Sequence, residues 1–147
     1  MAGGRGRDRP ACPDHAVAAD DGRLRIGGVD LLDLAEEYGT PVFVYDEQHL
    51  IDRCAEAVSV FGPDGAIYAT KAFLCRAMAR LAHAAGMRLD VATMGELEIA
   101  LASDVPADRL VLHGNNKSTD ELARALEVGV GRIIVDSDDE LDRIESL

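Results

Sequence analysis

The side chains able to do chemistry gather where apolar runs give way to helical patterns: Thr70-Lys71-Ala72, Asp90 to Thr93, His113 to Ser118, and Asp136-Ser137. Lys71 stands out among them. It directly follows the apolar run Ile67 to Thr70, which puts an ammonium at the mouth of an apolar pocket, where desolvation favours the free amine and opens Schiff-base chemistry with a carbonyl compound. Taken alone, the competing reading of Lys71 is a surface lysine capping a strand end. His15, His49 and His83 lie in the N-terminal segment or on helical patterns and read as surface residues, with no metal-ligand spacing among them. Cys12, Cys54 and Cys75 are far apart and form no C-x-x-C, so they signal neither a disulfide framework nor a zinc site and read as reduced structural thiols.

These junctions need a scaffold, and the chain repeats one. Ala66 to Thr70 reads as a buried strand, and Leu74, Met78, Leu81 and Ala85 mark the inner face of the helix after it, ended by Gly86. The unit recurs as strand Arg88 to Ala92 with helix Gly95 to Ser103, strand Leu110 to His113 with helix Thr119 to Val128, and strand Arg132 to Val135 with helix Asp138 to Leu147. Thr93/Glu96, Ser118/Glu121 and Ser137/Glu140 each place a hydroxyl residue three before a glutamate, the capping box that satisfies helix N-terminal amides. Strands apolar throughout, alternating with helices, imply a parallel sheet covered by helices. No G-x-G-x-x-G follows the first strand, so a Rossmann fold is disfavoured. The fold class expected is α/β, part of a (β/α)8 TIM barrel with its chemistry where strands end and helices begin.

A whole barrel takes about 250 residues. With four strand–helix units visible, the chain reads as truncated, with two open sheet edges that need cover. Upstream, the pattern predicts a short helix from Asp30 to Tyr38 stopped by Gly39, a strand from Val42 to Tyr45, and a helix from Asp46 to Phe61 with Leu50, Cys54, Val58 and Phe61 on one face. Residues 1 to about 22 are rich in Gly, Arg, Asp, Ala and Pro without apolar periodicity and read as a disordered leader, leaving 23–147 as the N-terminal part of a barrel domain.

Composition bounds the partners. The 147 residues carry 15 Lys+Arg against 27 Asp+Glu, a net charge of −12, and 48% are apolar, which is globular composition. The acidic balance, with no Lys/Arg stripe, argues against nucleic acid or anionic lipid as the main partner. No apolar run approaches the ~18 residues of a membrane span, and the N-terminus lacks the apolar core of a signal peptide, so a cytoplasmic protein is expected.

Three strings carry a resemblance. Tyr68-Ala69-Thr70-Lys71-Ala72-Phe73, then Leu89-Asp90-Val91-Ala92-Thr93-Met94-Gly95-Glu96, then His113-Gly114-Asn115-Asn116-Lys117-Ser118 are similar, in order and spacing, to motifs of the diaminopimelate decarboxylases. These are pyridoxal-phosphate enzymes of the alanine-racemase-like fold type, related to ornithine and arginine decarboxylases. The likeness runs from about Leu31 to Leu147. The lysine motif and D-x-A-[ST]-x-x-E are shared across the wider group, whereas H-G-N-N-K-S looks more particular to the diaminopimelate branch.

The resemblance implies that Lys71 holds pyridoxal 5'-phosphate covalently and handles protons after CO2 leaves, the conjugated ring acting as electron sink. It implies that Asp90 stabilises the protonated imine; a strand-end aspartate with a local hydrogen bond is the alternative. His113 would pack beside the cofactor or donate to it, and a structural histidine is the alternative there. Glu96 matches a family position too, but capping explains it. Asn115, Asn116 and Lys117 could shape the pocket, although turn formation explains the asparagines nearly as well.

By the same resemblance the full-length enzyme would be a homodimer acting on a small amino acid, taking CO2 from the D-centre of meso-2,6-diaminopimelate to give L-lysine. The ring-stacking histidine, the glycine-rich phosphate loop, the acid that pairs with the pyridine nitrogen and the C-terminal β-domain would lie beyond Leu147, so the chain alone is expected to be inactive. Two alternatives stay open: an ornithine- or arginine-type decarboxylase, and a non-catalytic half-barrel that pairs with a partner or carries pyridoxal phosphate without turnover.

Overall fold

The computed structural model describes residues 12–147, in one unit that ends at Asp52 and another formed by Arg53–Leu147. In the first, β1 (Val17–Ala18), β2 (Leu24–Ile26) and β3 (Val29–Asp30) form an antiparallel sheet in the order β1-β2-β3. Gly27 and Gly28 join β2 to β3 with φ of 57° and 81°, the left-handed pair that a two-residue hairpin turn demands. Residues 12–22, expected within a disordered leader, include β1, with Val17 opposite Arg25. Ladder bonds and the Ala19 to Arg23 backbone bond at 2.8 Å require no apolar periodicity, which is why pattern alone missed this hairpin. Residues 1–11 of that leader lie outside the described residues.

Helix α1 (Leu31–Tyr38) begins at buried Asp30, whose carboxylate accepts from Leu32 N at 2.9 Å and pairs with Arg23 at 3.1 Å. Val42 to Tyr45 joins no sheet, contrary to expectation, and Phe43 is 88% exposed: β-propensity describes a residue's fit to a pleated surface and does not provide a partner strand. Helix α2 (Glu47–Phe61) buries Cys54 of the expected apolar face but leaves Phe61 exposed. Burial pushes the Cys54 thiol up from its ordinary value, as befits a structural thiol, and all three cysteines are free.

The second unit is built on four parallel strands, β4 (Ile67–Ala69), β5 (Arg88–Val91), β6 (Leu110–Leu112) and β7 (Arg132–Ile133), in the order β4-β5-β6-β7. Each is followed by a helix: α3 (Arg76–Ala84), α4 (Met94–Leu101), α5 (Thr119–Val128) and α6 (Asp138–Glu145). This is the strand–helix repeat of a (β/α)8 barrel, present in part. Leu89, Leu97, Leu110, Leu112 and Leu122 are fully buried, each worth about 1.5–3 kcal/mol. On α3 the buried residues are Met78, Ala79 and Ala82: Met78 is buried as expected, while Ala79 and Ala82 take the place expected of Leu81 and Ala85. β5 departs from the all-apolar expectation: Leu89 and Val91 are buried, while Arg88 and Asp90, alternating with them, are partly open. Side chains alternate across a strand. That alternation delivers Asp90 to the site described below.

Ser118/Glu121 closes a full capping box at the start of α5. Thr93 and Ser137 likewise accept from the amides of Glu96 and Glu140 at 3.2 Å. Their glutamates, however, reach one residue further back, to Ala92 N at 2.6 Å and Asp136 N at 3.3 Å. Glu121 also accepts from Met94 N at 2.9 Å, tying the start of α4 to that of α5. The amides of Ser118 and Met94 hold its carboxyl below the usual range. No helix among the described residues is long and apolar enough to cross a membrane.

Candidate active site

Beyond β4 the chain makes a single 3-10 turn, Thr70–Ala72, and this turn carries Lys71. Two side chains hold it in place. Buried Thr70 donates its hydroxyl to the Asp90 carbonyl at 2.8 Å, and Tyr68 donates its phenol to the Phe73 carbonyl at 2.6 Å. The backbone around Lys71 is thereby pinned to the neighbouring strand.

β5 brings Asp90 opposite Ala69 on one side and Val111 on the other. The amide of His113 donates to the Val91 carbonyl at 2.9 Å, extending the ladder one residue past β6. His113 Nδ1 then lies 3.4 Å from Asp90 Oδ2, with the Asp90 side chain 19% exposed. The other oxygen, Oδ1, is buried and has no hydrogen-bond partner among the described residues. An unsatisfied buried acceptor costs roughly 1–3 kcal/mol, more when charged, so such an atom is an invitation to a donor or cation from outside. Gly114, at φ 126°, turns the chain immediately after His113, a backbone conformation that other residues rarely adopt.

Lys71, Asp90, Ala92, His113, Gly114, Asn115, Ile134 and Asp136 line one cleft of about 310 Å³. The three site residues expected from the sequence therefore meet at the C-terminal end of the sheet. One part of the expectation needs correction: Lys71 is exposed and its neighbours are mostly polar, so the desolvating apolar mouth is not supplied by these residues. Asn115 lines the cleft, Asn116 does not, and Lys117 is buried. Ile134 and Asp136 enter because β7 pairs beside β6, with Leu112 opposite Ile133; only the strand-end position of Asp136 hinted at this. Among the described residues no group of three or more His, Cys, Asp or Glu is arranged to hold a metal ion.

The residues present fit an aldehyde cofactor that carries a protonated nitrogen. Lys71 offers a primary amine, Asp90 an unpartnered buried carboxylate oxygen, and the cleft lies at the small end of the roughly 300–1,000 Å³ typical of ligand sites.

Residues 47–147 match the family model for the pyridoxal-dependent decarboxylase, pyridoxal binding domain. The diaminopimelate decarboxylase of Mycobacterium tuberculosis is 45% identical over 136 residues, covering 92% of this chain and 30% of that protein. That of Bacillus subtilis is 46% identical over 130 residues, covering 86% and 30%. Among solved structures, the diaminopimelate decarboxylase of M. jannaschii in co-complex with L-lysine superposes with a TM-score of 0.81 and 34% identity, covering 91% of this chain and 32% of that one. The lysine/ornithine decarboxylase of Vibrio vulnificus complexed with putrescine gives 0.68 and 27%, over 79% and 32%. The chain spans about a third of the length of these relatives. With the strand–helix repeat, the amine and its neighbouring carboxylate all inside the matched residues, the chain belongs to the pyridoxal-dependent decarboxylases.

Proposed function

We propose that these residues are the cofactor-holding part of a diaminopimelate decarboxylase, which removes one carboxylate of meso-2,6-diaminopimelate as CO2 to give L-lysine. The observation that carries this reading is the shared cleft of Lys71, Asp90 and His113 at the C-terminal end of the parallel sheet. Sequence relatives matched at 43–46% identity are diaminopimelate decarboxylases, which favours that substrate over ornithine or arginine.

When bound, pyridoxal phosphate supplies an electron sink for the pair left behind as CO2 departs. Everything else falls to the chain. Lys71 Nζ is the nucleophile that would hold the cofactor and, as a free amine, the base or acid that would move a proton at the rim. Asp90 Oδ1 presents negative charge to a protonated nitrogen beside Lys71, and His113 Nδ1 orients that carboxylate through Oδ2 at 3.4 Å. Asn115 and Asp136 border the space a substrate would enter. We further propose that turnover and a homodimeric assembly need the whole enzyme, of which this chain matches about a third, and that the 147 residues by themselves capture the cofactor without releasing CO2.

The decisive experiment is borohydride trapping. After incubation with pyridoxal phosphate, mass spectrometry should find the reduced adduct on Lys71, and Lys71→Ala should abolish labelling without moving the thermal midpoint. A label on another side chain, or undiminished labelling of Lys71→Ala, sinks the reading. Robust CO2 release from meso-diaminopimelate by this chain alone would overturn the division between capture and turnover.

A further inference from the structure

Lys117 and Glu140 are the buried charged residues of the second unit among the described residues, and neither lines the cleft. Their side chains are 0% and 2% exposed, with Nζ and Oε1 2.8 Å apart. A buried ion pair is no better for stability than two well-packed apolar residues of the same volume. Its hydrogen bonds point to another role.

Lys117 Nζ also donates to the Gly114 carbonyl and, at 2.8 Å, to the Ile134 carbonyl, so its three protons have three acceptors. Glu140 Oε2 accepts from Asp136 N at 3.3 Å, and Arg143 donates to the Lys117 carbonyl at 2.7 Å. Gly114, Ile134 and Asp136 all line the cleft. The pair therefore grips, from behind, the backbone of three lining residues drawn from two connections, β6 to α5 and β7 to α6. Hydrocarbon side chains could fill the same volume but could not hold those carbonyls and that amide.

We infer that Lys117 and Glu140 are positioning residues: together they set the Gly114 turn and the Ile134 to Asp136 segment so that the cleft is shaped before pyridoxal phosphate arrives. The inference rests on the proposed cofactor site, and its effect on the loops can be read without the cofactor.

The test uses the full chain carrying Lys117→Met, Glu140→Gln, or the double change Lys117→Met/Glu140→Leu, which leaves no buried charge. Three quantities are read: thermal midpoint, amide hydrogen exchange over residues 113–118 and 134–137, and the pyridoxal phosphate concentration that half-labels Lys71 under borohydride. Lys117→Met should lower the midpoint, because it strands Glu140 as a buried charge, and speed exchange in both segments. The double variant should regain the midpoint, yet keep fast exchange and need roughly ten- to hundredfold more cofactor, the penalty of a slightly misplaced site. Recovery of exchange and labelling along with the midpoint would show a merely structural pair and overturn the inference. If the double variant does not fold, Glu140→Gln decides: it keeps the shape, and unchanged exchange with unchanged labelling overturns the inference equally. If the wild-type chain takes no label at Lys71, the functional reading falls, and exchange alone decides the role of the pair.

Discussion

The two ends of the parallel sheet treat an aspartate in opposite ways. Before β4, at the N-terminal end, Asp64 Oδ1 accepts from Arg88 Nη2 at 2.9 Å and Arg109 Nη1 at 3.1 Å. The same two arginines donate to the carbonyls of Pro63, Gly86 and Asp108, with Arg88 Nε left over. At the C-terminal end Asp90 has one oxygen 3.4 Å from an imidazole and the other buried without a partner. The well-paired carboxylate is the exposed one and the poorly paired carboxylate is the buried one, the reverse of what stability would select. One end is organised to hold strands in register, and the other keeps unspent bonding capacity, which the proposed cofactor would use.

Substitutions can break that contrast. The largest effect is expected at Asp90: Asp90→Ala should weaken cofactor labelling of Lys71 about tenfold or more while the thermal midpoint stays level or rises, because an unsatisfied buried acceptor is removed. A lower midpoint with intact labelling would mean that Asp90 is structural after all. Next comes Ser118→Ala, which removes the N-cap of α5 at the functional end. Urea denaturation should register a loss of about 0.5–2 kcal/mol, with a smaller change in labelling than at Asp90. A larger loss of labelling than at Asp90 would place the capping box inside the site.

The smallest effect belongs to Asp64→Asn. Arg88, with help from Arg109, holds the Asp64 carboxyl below the usual carboxylate range. A group depressed on folding stabilises the native state above its unfolded value and loses that contribution as pH falls through the folded one. Thermal midpoints of wild type and Asp64→Asn, compared from neutral pH downward, should show a small wild-type advantage that shrinks in acid. An advantage that grows in acid would refute the account of the N-terminal end.

Much of the site was legible in the chain because its signals are local. Lys71 and His113 each follow a short apolar run, Asp90 lies within one, and hydroxyl-x-x-Glu marked the starts of α4, α5 and α6 because a cap is satisfied within a few residues. Signals that need a partner were lost. Val42 to Tyr45 looked like a strand but found none to pair with, the hairpin of β1 and β2 carried no periodicity, and on α3 Ala79 and Ala82 are buried beside Met78 in place of Leu81 and Ala85. Glu140 was legible as a capping residue, yet its second oxygen and the ammonium of Lys117 were not, since spacing along one helix says nothing of a side chain arriving from another connection.

The order of residues by itself determined the strand–helix alternation, the helix starts and which three side chains stand in or just beyond the last part of a strand, for these follow from periodicity and from hydrogen bonds closed over a turn or two. Only the tertiary structure decided that those side chains share one cleft, that Asp90 keeps a buried oxygen unspent, and that a buried ion pair grips the loops from behind. Each of these depends on desolvation and on contacts between segments far apart in sequence, which exist only after the strands have paired.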